Sequence, residues 1–270
     1  MGYYLTAIPS VAFLACSLVL VIGVVCRGQL YVHRRFRKQS FIEHNAVGGI
    51  IVVVAGTLYS VVLGFFTVIA WQHYQEAREI VVAESNADID AWHTAAGLPL
   101  AVRVRVRSDM LAYANVIVER EWPAMRRGTL DSELAFIGMD AIEATAAFIP
   151  ANVAEANAQA STMQQLTIIH DARQRRIGVN RDGITWFEWL ILIIGGICIV
   201  CFCWLFGLRS ERIHLLMTST VVTIIVSTMV LLFELQYPFR SDVGVDPGAW
   251  QYAIAHIHQM QAGSLADMRM

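Results

Sequence analysis

Four stretches of the chain are almost free of charged side chains, and each is long enough to cross a bilayer, whose hydrocarbon core takes roughly 20 residues of α-helix. Residues 4–26 and 45–71 contain no charge, residues 184–208 admit Glu188 near their start, and residues 215–235 admit Glu234 near their end. Tyr3, Tyr4, Trp71, Tyr74, Trp186, Trp189 and Tyr237 fall at the edges of these runs, where an aromatic ring bridges headgroups and acyl chains. The pattern predicts two transmembrane hairpins, residues 1–71 and 184–237. Leu14-Ala15-Cys16 is similar to a lipoprotein cleavage box. However, no basic residue precedes the apolar run and the run continues past Cys16, so an anchor helix is expected rather than a cleaved signal.

Between the hairpins, residues 72–183 are rich in Ala, Glu, Arg and Gln. Ile80, Glu84, Ala87, Ala91 and Ala95 recur at helical spacing with no Pro or Gly among them, so the second span is expected to continue beyond the membrane as one long helix. Gly97-Leu98-Pro99 ends it. A helix from Pro99 or Leu100 to Glu121 should stop at Trp122-Pro123, a third should run over 129–148 behind a cap at Thr129 or Asp131, and a fourth over 150–177. Val102 to Arg107 alternates like a strand, but its Ala-rich helical surroundings assign it to a helix. Residues 238–270 form a tail, turn-rich at first, with a short helix over 248–260 near the membrane. The fold class is therefore all-α, a polytopic membrane protein with a helical domain inserted between the second and third spans.

Composition supports this reading and narrows the function. Of 270 residues, 56% are hydrophobic and 16% charged, the formal net charge is -2, and there are five cysteines. That balance excludes a disordered chain, a disulfide-stapled secreted mini-protein and a nucleic-acid binder. The bilayer is the expected solvent.

Candidate chemistry is sparse. Cys198, Cys201 and Cys203 lie mid-membrane with no histidine or carboxylate at their depth, and Cys203 points off the face shared by the other two. His256 and His258 diverge on a helix and have no third ligand nearby. No catalytic residue, metal site or cofactor is expected, because no nucleophile elbow or phosphate loop occurs. Arg103, Arg105, Arg107, Arg126, Arg127, Arg173, Arg175 and Arg176 would draw anions toward a vestibule or form a solvated or lipid-facing surface. In the second span, Gly56, Ser60 and Gly64 form a small-residue stripe for close helix packing. Thr57, Val61 and Phe65 make a parallel row that a symmetric ring would turn toward its axis. Packing within the chain is the alternative use of the stripe. In the fourth span Thr220, Thr223, Ser227 and Glu234 share a face that lines water, bonds to another helix, or bonds back to its own backbone.

Ser60-Val61-Val62-Leu63-Gly64-Phe65-Phe66-Thr67, with Trp71 and Tyr74, resembles the second transmembrane helix of the bestrophin anion channels. Gly56, Tyr59, Glu84, Leu98-Pro99, Tyr113, Glu121-Trp122-Pro123-Ala124-Met125, Gly128, Arg173, Arg176 and Pro238-Phe239 extend the similarity to a bacterial bestrophin-like membrane family. The resemblance implies four transmembrane helices per subunit and a pentameric ring around the second helices, in a bacterial inner membrane. It also implies a neck falling on Thr57, Val61 and Phe65, where only Phe65 keeps the aromatic character. No acidic cluster follows the fourth span to supply the calcium clasp of animal bestrophins, so calcium gating is not implied.

The expected function is a homo-oligomeric channel for small ions, anions by resemblance, with the lipid bilayer and its own copies as partners. The rival is a non-conducting scaffold or sensor built on the long second helix. Orientation divides two arguments. Arg27, Arg34, Arg35, Arg37, Lys38, Arg209 and Arg212 sit in the short loops, against Arg78, Arg173, Arg175, Arg176, Arg181 and Arg240 on the domain side. The denser cluster favours short loops inside and the domain outside the cytoplasm, whereas the resemblance implies the reverse.

Overall fold

A computed structural model describes residues 9–36, 45–129, 135–208 and 210–267, and among these every regular element is helical. In chain order the α-helices are α1 (Ser10–Arg35), α2 (Asn45–Thr94), α3 (Leu100–Val116), α4 (Trp122–Arg126), α5 (Ala135–Ala147), α6 (Val153–Arg181), α7 (Trp186–Leu205), α8 (Glu211–Leu235) and α9 (Gly248–Asp267). A 3-10 turn, Ala95–Gly97, follows α2, and a π-turn, Ile117–Glu121, joins α3 to α4. α1, α2, α7 and α8 are each long and apolar enough to cross a membrane.

Several boundaries differ from the sequence expectation for local reasons. α1 runs past Cys26 to Arg35 because polar Arg27, Gln29 and His33 continue the helix without a breaker. Pro123 does not stop its helix. The π-turn before it resets the hydrogen-bond register, so Pro123 falls in the first turn of α4, where a missing N–H costs nothing. Thr129 closes α4, its hydroxyl and its N–H both donating to Ala124 O, while Asp131 lies outside the described residues. α6 begins behind Asn152, whose side chain accepts from Glu155 N at 2.9 Å, rather than at Pro150. Thr185 and Glu188 form a capping box at the start of α7, which gives Glu188 a structural role. Val102 to Arg107 is helical, within α3.

The chain divides into two compact units. The first comprises residues 1–73, 183–236 and 241–243, the second 74–182, 237–240 and 244–270; α2 contributes its first part to one and its remainder to the other. In the first unit, α1 and α8 meet through Val25, Val222 and Val226, with Val200 and Trp204 of α7 packed on them. Much of its apolar surface is exposed, including Val19 and Leu20 of α1, Ile194 and Ile197 of α7, and Leu216 of α8. Such a surface is stable only under lipid or another subunit.

The second unit has a conventional core. Met110 and Tyr113 of α3, Ile117, Trp122 and Met125, Leu166 of α6, Phe239 and Trp250 are fully buried. α9 passes the expected end at residue 260 and reaches Asp267. It is held because Trp250, Ala253 and Ile257 at helical spacing are completely buried. Trp122 meets Phe239 edge to face with ring centroids 5.6 Å apart, and Tyr113 meets Trp250 at the same separation.

Candidate functional site

In the first unit the informative element is the membrane part of α2. Thr57, Ser60 and Thr67 satisfy their hydroxyl protons on the preceding turn, at Val53 O, Thr57 O and Leu63 O, each at 2.8 Å. The expected axial row is open on the single chain: Thr57 is exposed, Val61 is 51% exposed and Phe65 67%. The parallel small-residue stripe is equally unpartnered, since a Cβ added at Gly56 or Gly64 meets no atom within 4 Å. Among the described residues, nothing within the chain packs on Gly56 or Gly64.

Tyr59 carries that packing instead. Its ring lies over Gly195 of α7, where a Cβ would fall 2.5 Å from ring carbon Cδ2, and its hydroxyl donates to Leu192 O at 3.2 Å. Gly195 and Gly196 thus provide a small-residue contact of α7 for Tyr59 of α2. Tyr59 is half-buried there, and among the described residues of this stretch Leu63 and Ala70 are buried.

The fourth-span residues occupy different environments. Thr220 is exposed and bonds back to Leu216 O, Thr223 is half-buried and bonds back to Ser219 O, and Ser227 is half-buried. Glu234 is buried and accepts the Ser10 hydroxyl at 2.9 Å. That hydroxyl also contacts Asp242, which accepts the Ser10 backbone N–H at 3.1 Å and places a negative charge at the N-terminus of α1. At the other ends of these helices, His33 and His214 stand edge to face at 5.1 Å. Their Nε2 atoms bond Trp204 O and Cys203 O, the terminal carbonyls of α7. Cys198 and Cys201 are exposed and unpaired, and Cys203 is half-buried. Among the described residues no group of three or more His, Cys, Asp and Glu side chains is placed to hold a metal ion.

The second unit contains an ion cluster that the resemblance named residue by residue without showing that its members meet. Arg176, fully buried on α6, forks onto Glu84 of α2, with Nε to Oε2 at 2.6 Å and Nη2 to Oε1 at 3.0 Å. Tyr113 of α3 donates to the same Glu84 Oε1 at 2.6 Å. Glu121, turned inward by the π-turn, lies 3.3 Å from Arg173 Nε and 3.5 Å from Arg176 Nη2. Two carboxylates thus meet two guanidiniums in the buried interior, and the two negative and two positive charges balance. The expectation of a solvated or anion-drawing surface fails for Arg173 and Arg176, because tertiary folding brings Glu84 and Glu121 onto them.

Burial alone would lower the Arg176 pKa, but Glu84 and Glu121 outweigh it and hold the guanidinium charged. Burial, then Glu84, pushes the Tyr113 phenol well above its usual range. One acid stands outside the balance. Asp88, one turn beyond Glu84, is completely buried with neither oxygen hydrogen-bonded within the described residues. Burial first and the Glu84 charge second push its carboxyl well above the usual range, favouring the neutral form. Asp88 carried no motif, so sequence reading passed over it.

Gly128 ends α4 with φ +69, and the Gly128 and Thr129 N–H groups close onto Met125 O and Ala124 O. A side chain at Gly128 would also sit 3.2 Å from the Arg240 guanidinium carbon. His256 diverges from His258 on α9; it stacks on Tyr252 and lies 6.3 Å from His93 between ring centroids.

Two crystal structures of a bacterial bestrophin homologue from Klebsiella pneumoniae, each carrying one mutation, align with 90% of this chain and 98% of their own. Their TM-scores are 0.67 and 0.65 at 15% and 12% identity, which shows a shared fold. No curated protein matches the chain by sequence. A family model described as a bestrophin-like domain matches residues 19–250. With that match spanning most of the sequence, the chain belongs to the bestrophin-like domain family.

Proposed function

We propose that the protein is a homo-oligomeric ion channel of the bacterial cell membrane, most simply a pentamer, with α2 of each subunit around the pore. One observation carries the reading. Among the described residues, the membrane part of α2 leaves the Thr57, Val61, Phe65 row exposed and open space over Gly56 and Gly64 of the adjacent stripe. A ring of subunits uses both at once: the stripe admits the neighbouring helix closely, and the row turns to the axis as a constriction. Val61 and Phe65 then form an apolar neck whose wetting controls flux. Thr57, its proton held by Val53 O, offers lone pairs to passing ions. On α8, exposed Thr220 is a second polar contributor, with Thr223 and Ser227 beside it.

Planar-bilayer recording of purified protein tests the proposal, and reversal potentials in asymmetric KCl assign anion or cation preference. Replacing Val61 and Phe65 together by Ala should raise single-channel conductance, because radius and apolarity set the barrier to wetting. Parent and double variant both silent would sink the channel reading and favour the scaffold or sensor.

A further inference from the structure

We infer that the helical unit holds a binding site for a small organic anion, a carboxylate on an apolar or aromatic body, between α3 and the end of α2. The site is a cleft of about 510 Å³, within the range of small-molecule pockets. Trp92, Val104, Leu111 and Ala112 form its apolar walls, with Arg107, Ser108, Asn115 and Gln261 as polar groups among them.

The charge arrangement gives the cleft its selectivity. Arg107 is fixed in place: its guanidinium stacks over the Trp92 ring at 4.8 Å and its Nε donates to Trp92 O at 3.2 Å. Among the described residues, that single bond leaves the outer nitrogens without a carboxylate, whereas Arg105, Arg173, Arg175 and Arg176 each meet one. Arg103, one turn earlier on α3, has its Nε fully buried with no hydrogen-bond partner among the described residues. Two cations therefore stand on successive turns of one helix with no acid between them. Burial, then the charge of Arg103, pulls the Arg107 pKa down, so an anion arriving beside Arg107 relieves an existing repulsion. Bidentate recognition by guanidinium suits a carboxylate. Apolar walls and an indole face suit a hydrophobic body and disfavour a fully hydrated inorganic anion. The inference does not depend on whether the transmembrane helices conduct.

Isothermal titration of the full-length protein in detergent, with benzoate and inorganic phosphate as probes, tests it. Saturable benzoate binding is expected, at least tenfold tighter than phosphate, and at least tenfold weaker in Arg107→Gln and in Arg103→Gln. Arg105→Gln, on the aspartate-paired side of α3, should bind as the parent does. Ala112 is exposed, so Ala112→Phe should fill the cleft without disturbing the fold and should abolish binding. It serves as the deciding variant where an arginine change lowers stability. No saturable benzoate binding, equal affinity for phosphate, or undiminished binding in Ala112→Phe would each overturn the proposal.

Discussion

Replacing Arg176 by Met should destabilise the helical unit more than the loss of any surface ion pair. Arg176 and Glu84 are both completely buried, and the guanidinium makes two charge-assisted bonds to Glu84 and an ion pair to Glu121. Removing it leaves two carboxylates facing Arg173 alone, a net buried negative charge. Breaking a buried pair from one side costs about 3–5 kcal/mol, chiefly because the surviving charge is uncompensated. For a chain of this size each kcal/mol moves the melting temperature by about 2–4 °C, so a fall of about 6–20 °C is expected. Trp122 and Trp250 are fully buried in the same unit, so intrinsic fluorescence during thermal unfolding in detergent reports on it directly. Changing Glu84 to Met in the same chain should recover much of the loss, since Glu121 and Arg173 then balance again and an apolar pair fills the space. Tyr113 loses its acceptor in that double variant, so recovery should be incomplete. A shift below about 3 °C in the single variant, or a double variant no better than the single, would refute the account of a charge-balanced core.

Asp88 predicts a pH dependence of the opposite sign to that of an ordinary paired carboxylate. Its folded pKa is raised, so the folded chain holds a proton that the unfolded chain releases above about pH 4. Stability should therefore fall as pH rises from there through the folded pKa, and Asp88→Asn should flatten that slope; equal slopes in melts across pH would count against it. Gly64→Leu should leave the protomer folded yet abolish assembly in native mass spectrometry, because its Cβ meets nothing within the chain. Gly195→Leu should instead destabilise the protomer by driving a side chain into Tyr59. An oligomer unaffected by Gly64→Leu rules out the stripe as a subunit contact. A cysteine at exposed Ser161, in a chain otherwise free of cysteine, should react with an impermeant maleimide on intact cells if the basic short loops set orientation. Reaction only after lysis would reverse the assignment.

The sequence by itself determined the all-α class, the four spans and the long second helix, because a bilayer or a helix face imposes a period that local composition reveals directly. It also identified Glu84, Tyr113, Glu121, Arg173 and Arg176 by resemblance, though not as neighbours. Their meeting needs side chains from α2, α3, the π-turn and α6, far apart in the chain, so only the tertiary structure decided that two arginines expected at a surface are buried ions. Boundaries at Pro123, Thr129 and Asp267 were settled by hydrogen-bond register and by core packing, which local propensity does not encode. For the stripe at Gly56, Ser60 and Gly64 the sequence offered two uses, packing within the chain or between subunits. That Tyr59 rather than the stripe meets Gly195 of α7 among the described residues is visible only in the folded chain, because which face of a helix meets its neighbour is set by packing between segments far apart in sequence.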